Sequence, residues 1–152
     1  MFGKTEKGDI MKGSKDLLSS VLKTTQMGQI GIRCVLNAPV RLDLRTALKS
    51  QLKEYDSIEQ EAHLLAAKRG WELEELNPGI KYMSQAMTRA QLSFGNVNSK
   101  TAAMMITGNT RGMIKSLKNL HQFDNSDGPV LNLSQKLLDC EIENIRQMQG
   151  FL

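Results

Sequence analysis

The chain of 152 residues has no apolar run long enough to span a bilayer, and it contains two cysteines, two histidines and three prolines. Each shortage excludes something. Cys34 and Cys140 are too few and too widely spaced for a disulfide framework or a zinc site, which favours a reducing compartment. The two imidazoles, His63 and His121, leave little for metal chemistry or a catalytic triad. Aromatic residues make up only 5% of the chain, and none is interleaved among the basic residues Lys100, Arg111, Lys115 and Lys118 where it could stack a base, so nucleic acid is not an expected partner. The opening MFGKTEKGDIMKG carries charges and three glycines where a signal peptide would need an apolar stretch. No P-loop, dinucleotide-binding glycine motif or nucleophile elbow is present. The expectation is a cytoplasmic protein with no membrane partner and no catalytic residues.

What the chain has in quantity is helix-forming apolar residues. Hydrophobic residues account for 40%, dominated by leucine, alanine and methionine, which suit helices better than strands. The clearest stretch is Leu42 to Gly70. At a hundred degrees per residue Leu48, Leu52, Tyr55, Ile58, Ala62, Leu65 and Ala66 share one side, and Lys49, Lys53, Gln60, Glu61 and Lys68 the other. Gly70 follows the last basic turn as a stop. A helix this long cannot bury its apolar face against itself, so it requires partner helices of similar length.

Before it, residues 1–13 read as a mobile tail, and Ser14 can cap a first helix that runs to about Asn37, ahead of Pro39. Its inward face is Leu18, Val21, Leu22, Thr25, Gln29, Ile32 and Leu36. Gly28 and Gly31 weaken that helix by about 1 kcal/mol each relative to alanine and mark a close approach of another backbone. After Gly70, Asn77 and Pro78 can start a short helix to about Phe94, with Ile80, Met83, Met87 and Ala90 inward. A third long helix runs from near Asn98 to His121 or Phe123, with Ala102, Ile106, Asn109, Met113, Leu117 and Leu120 inward. The NSDGP turn leads to a last helix, Val130 to Gln149, facing Leu131, Leu138, Ile142, Ile145 and Gln149 to the core with Glu141 at the margin. Residues 14–152 thus form one all-α domain of four long helices, with a short extra helix between the second and third long ones.

Four long helices with a long second connection resemble the ferritin-like superfamily. The stretch YDSIEQEAHLLAAKRGWELEELNP, Tyr55 to Pro78, is similar to the second helix and Gly-Trp turn of the spore coat protein F group, which implies a ferritin-like four-helix bundle and a spore-associated location. Ferritin-like carboxylate enzymes draw a glutamate from each of two helices and a Glu-x-x-His pair from each of the other two. This chain departs from that pattern. Its first helix offers Gln26 and Gln29, its second Glu59 and Gln60 near His63, its third Asn109, and its fourth Glu143-x-x-Arg146. Hard cations need anionic oxygens that amides do not supply. The resemblance implies the fold and the sequence argues against the family's metals, so no cofactor is expected. The alternative is an iron or manganese site built from Glu59, His63 and Glu141.

The polar residues placed toward the core are Thr25, Gln29, Glu59, His63, Asn109 and Glu141. They read either as a ligand pocket or vestigial metal site, or as a hydrogen-bonded network that fixes helix register, the latter being favoured. The methionines fill space rather than bind copper. A basic segment from Gly95 to Phe123, with Lys100, Arg111, Lys115 and Lys118 and no acid, precedes an acidic last segment, as expected for two helices packed side by side. Gly108 and Gly112 read as an outward small-residue pair that lets another helix approach. The expected function is therefore a non-catalytic bundle that forms a homo-oligomer or binds other proteins.

Overall fold

A computed structural model describes residues 2–123 and 127–152, with side chains from residue 13 onward; residues 125 and 126 of the expected Asn-Ser-Asp-Gly-Pro turn lie outside the described residues. Among the described residues the chain is all helical: α1 Phe2–Leu36, α2 Leu42–Arg69, α3 Gly79–Leu92, α4 Val97–Gln122 and α5 Gly128–Gln149. The first helix begins at Phe2 rather than at Ser14, so the stretch expected to be a tail continues α1. Ser14 is therefore not a cap of its own helix. It is buried, and its Oγ accepts a hydrogen bond from the Asp127 backbone N–H at the start of α5. Gly70 ends α2 in the left-handed conformation, φ 67°, which a residue with a side chain adopts only with strain.

Pairings between side chains give the helix directions. Gln26 meets Glu59, Gln29 meets Asp56 and the Leu36 carbonyl meets Arg45, so α1 and α2 are antiparallel. Gln51 with Gln147, Glu61 with Lys136 and Arg69 with Asp127 make α2 and α5 antiparallel. Ser20, midway along α1, accepts from Asn119 near the end of α4, and Asn98 at the start of α4 accepts from the Arg41 N–H beyond the end of α1, so α1 is also antiparallel to α4. It follows that α2 and α4 run in the same direction. The connection between them must then return along the length of the bundle. It climbs α1: the Glu74 N–H donates to Ser19, Lys23 pairs with Glu74 at 2.6 Å, the Leu76 N–H donates to Gln26, and α3 packs on both α1 and α4.

The core runs between the long helices through Leu17, Leu18, Leu22, Ile32, Leu44, Leu48, Tyr55, Ile58, Val130, Leu137 and Met148. The inward face expected for α1 is buried from Leu18 to Ile32, and that of α2 from Leu48 to Ala66 with Leu52 and Leu65 only partly covered. The other faces are rotated in part: Ala102 and Asn109 of α4 and Leu138 of α5 are buried as expected, but their companions are not. In α5 the buried line is Val130, Ser134, Leu137, Glu141, Asn144 and Met148, while Ile142 and Gln149 are exposed and Leu131 and Ile145 half-buried. In α4 the line is Thr101, Met105, Asn109, Gly112 and Ser116, with Leu117 exposed. Both helices turn a partly polar stripe inward, and the more apolar neighbouring stripe stands beside it. In α3 Met83, Met87 and Ala90 face solvent and Thr88 is the buried residue. That helix lies outside a core already closed by four others, so the single seam with α1 and α4 sets its burial, not its most apolar side.

Candidate functional site

Between α1 and α4, under the α3 crossover, lies a cleft of about 350 Å³ that reaches inward to Tyr55 and Glu141. Glycines make room for it. A Cβ on Gly28 would sit 2.6 Å from the Tyr55 ring, so α1 needs glycine there to let the ring lie across it. The close approach expected from the sequence is thus to a side chain rather than to a backbone. Gly112 does the same for Glu141, whose carboxyl would be 2.7 Å from an added Cβ. This corrects the outward placing of Gly112. Gly31 and Gly108 meet nothing within 4 Å and leave the wall of the cleft bare.

At the base, Tyr55 is the hub. Its hydroxyl donates to Asn109 Oδ1 at 2.9 Å and accepts from Asn144 Nδ2 at 3.3 Å, and it also interacts with the Glu141 carboxyl. Burial raises the Tyr55 pKa, and the Glu141 charge and Cys140 push it the same way, so the phenol stays a donor. Glu141 is 2% exposed. Burial pushes its carboxyl up to about 8, the nearby Tyr55 hydroxyl dipole opposing part of the effect, so at neutral pH it is mainly a neutral acid. Glu141 Oε2 and Asn109 Nδ2 have no partner. Both residues line the cleft, and the two unpartnered atoms themselves lie just behind the surface that solvent reaches. Cys140 donates to Glu54 at 3.3 Å, and burial together with Glu54 holds it as a thiol; burial raises Cys34 likewise. Neither is poised as a nucleophile.

Of the residues expected to form a polar core, the structure brings Asn109 and Glu141 together and separates the rest. Thr25 is buried but its hydroxyl returns to the Val21 carbonyl at 2.7 Å, and Gln29 is spent on Asp56 at 2.8 Å. Glu59 and His63 stand on the α1 flank of α2. Glu59 is half-buried and accepts from Gln26, and His63 is exposed, 3.9 Å from Glu75. The alternative metal set of Glu59, His63 and Glu141 is therefore not assembled. Among the described residues no three of His, Cys, Asp and Glu converge, so the donors do not fit the paired metal ions that the resemblance to ferritin-like enzymes brings with it. Tyr55 lies in the core as its helical period predicts, but nothing in the sequence marks it as the hub or singles out Asn144, which stands three residues after Glu141 on the same inner stripe.

The two glycines of α4 make opposite predictions. Gly108→Ala should raise stability by about 1 kcal/mol through helix propensity, since nothing stands in its way. Gly112→Ala should lower it, because the overpacking cost of about 1–3 kcal/mol against a buried carboxyl outweighs that gain. Urea denaturation of the two variants gives the signs; a stabilised Gly112→Ala would mean that Glu141 does not occupy the space above it.

The fold and site together define an all-helical chain with a glycine-walled cleft ending in a buried polar cluster. Compared with protein-family models, with curated proteins and with solved structures, the chain has no match in any of the three.

Proposed function

We propose that this chain is a non-catalytic ferritin-like bundle that works as a binding module for a small organic molecule held in the α1/α4 cleft. The ferritin-like reading is supported by two parallel long helices joined by one crossover that runs the length of the bundle, as in that class of folds. The resemblance of Tyr55 to Pro78 to the spore coat protein F group supports a spore-associated setting. One observation carries the binding role: unpaired Glu141 Oε2 and Asn109 Nδ2 in residues lining a mostly apolar cleft of about 350 Å³, within the range of roughly 300–1,000 Å³ that takes small ligands. Buried polar atoms left without partners cost about 1–3 kcal/mol each, a cost that a ligand removes.

The test is a thermal-shift screen of small amphipathic molecules against the wild type and Gly108→Leu, in which the leucine fills the cleft from a wall that is bare. A ligand at a hundred times its dissociation constant stabilises the native state by about 2.7 kcal/mol. Shifts in the wild type that vanish in Gly108→Leu are expected. No shift with any compound, or equal shifts in both proteins, would contradict the reading.

Self-association is the second reading, and α3 favours it. Tyr82, Met83, Met87 and Phe94 are 59–80% exposed on or just after that helix, a density of apolar surface that usually marks a contact. This replaces the Gly108 and Gly112 pair as the expected contact surface. Sedimentation velocity across a concentration series should show a dimer or larger species that Met83→Glu with Met87→Glu dissociates. A monomer at every concentration removes this reading.

A further inference from the structure

The chemistry of the cleft differs from mouth to base, and that gradient narrows what can occupy it. At the mouth stand Lys23, Arg111 and Lys115. Lys23 is committed to Glu74 at 2.6 Å, whereas neither Arg111 nor Lys115 takes part in an ion pair among the described residues. These two cations lie one turn apart on the same side of α4, with no acid between Gly95 and Phe123 to answer them. The walls are Met27, Met104 and Met105 with the bare backbone of Gly31 and Gly108, a surface without charge that adapts to an apolar body. At the base the buried, unpartnered groups are the Asn109 amide N–H, a donor, and the Glu141 carboxyl, which in its neutral form both donates and accepts. An ammonium group would meet like charge at the mouth, so a cationic head group is disfavoured there.

Resting on the binding-module reading above, we infer that the cleft takes an elongated amphipathic organic anion, with its charge at Arg111 and Lys115, an apolar body along the methionines, and an uncharged hydroxyl or carbonyl oxygen hydrogen-bonded to Asn109 and Glu141. The exposed cations contribute a part that salt screens, and the buried donors a part that salt leaves almost unchanged. The charge thus selects the class of ligand and the base selects its far end.

Isothermal titration of the full chain at pH 7 with three probes of equal length separates these parts: ω-hydroxydecanoate, decanoate and decanol. The hydroxy acid should bind about tenfold more tightly than decanoate, the equivalent of one net hydrogen bond of about 1.4 kcal/mol, and decanol should bind more weakly than either acid. Arg111→Gln with Lys115→Gln changes only exposed side chains, so the fold should persist while both acids lose at least tenfold and decanol loses nothing. Asn109→Leu should abolish the preference for the terminal hydroxyl, and a circular dichroism melt establishes that it folds. Equal binding of all three probes, or acid binding unchanged in the double glutamine variant, overturns the anionic assignment while leaving the cleft a ligand site. Binding of none overturns the assignment as well, and a blank thermal-shift screen beside it removes the binding-module reading too.

Discussion

Replacing Glu141 with glutamine should abolish a loss of stability that the wild type suffers as pH rises from about 4.5 to about 8. In the folded protein burial pushes this carboxyl up to about 8, against an ordinary value of 4.5. Below pH 4.5 both folded and unfolded chains carry the proton and the residue has no effect on the balance. Between the two values the unfolded chain has released the proton and the folded one retains it, so the unfolded state is favoured increasingly, by about 1.4 kcal/mol per pH unit. Above pH 8 both have released it and the loss is complete, on the order of 4–5 kcal/mol in total. The nearest titratable neighbours, Tyr55 and Cys140, are both shifted upward and do not titrate in this window. Glutamine keeps the shape and a donor without the proton equilibrium. Urea midpoints measured from pH 4.5 to 8.5 should therefore fall more steeply for the wild type than for Glu141→Gln. Parallel curves would mean that the carboxyl is not held neutral in the folded state.

The second large effect is expected at Tyr55. It is fully buried, its ring lies on the bare Gly28 backbone, and its hydroxyl ties α2 to Asn109 of α4 and Asn144 of α5. Tyr55→Ala removes the ring and should cost about 3–5 kcal/mol, as large aromatic truncations do. It also strips the partner from Asn109 Oδ1, whose own amide N–H is already unpaired. Tyr55→Phe separates the two contributions. It keeps the ring over Gly28 and loses only the hydroxyl, so about 1–3 kcal/mol is expected from the stranded amide groups. If Tyr55→Phe is neutral, the polar cluster is satisfied by water and the ring alone matters. If it equals Tyr55→Ala, the three-helix hydrogen-bond hub dominates the packing.

Both predictions concern residues whose role is only half visible in the chain. The face of α2 containing Tyr55 could be read directly, because its apolar residues recur with helical period and Gly70 marks its end in the conformation that only glycine adopts freely. The same held for α1 from Leu18 to Ile32, where even Thr25 and Gln29 were assigned to the buried side. The reading failed where the buried stripe is not the most apolar one. In α5, Ile142 and Ile145 outrank Ser134, Glu141 and Asn144 on any scale of hydrophobicity, yet the polar three are buried. A stripe is chosen by the helices that close over it, and Tyr55 with Gly112 gives Glu141 and Asn144 a place that no count of apolar residues contains. The same cause drew Glu59 and His63 into the expected site, since both stand near the apolar face of α2 but on the flank turned to α1 and the crossover.

By itself the sequence determined that this chain is helical, where its long helices run after the first, and that a short helix interrupts the connection between α2 and α4. Those properties follow from spacing along one helix and from the local chemistry of glycine, proline and capping residues, and need no partner to be expressed. The tertiary structure alone decided which stripe of α4 and α5 turns inward, that Gly28 and Gly112 serve a ring and a carboxyl, and that Asn109 and Glu141 meet at the base of a cleft while Glu59 and His63 remain outside it. Those depend on the rotation of each helix about its axis. That rotation is fixed by contacts between residues such as Tyr55 and Asn144, 89 positions apart, which no periodicity within one segment records.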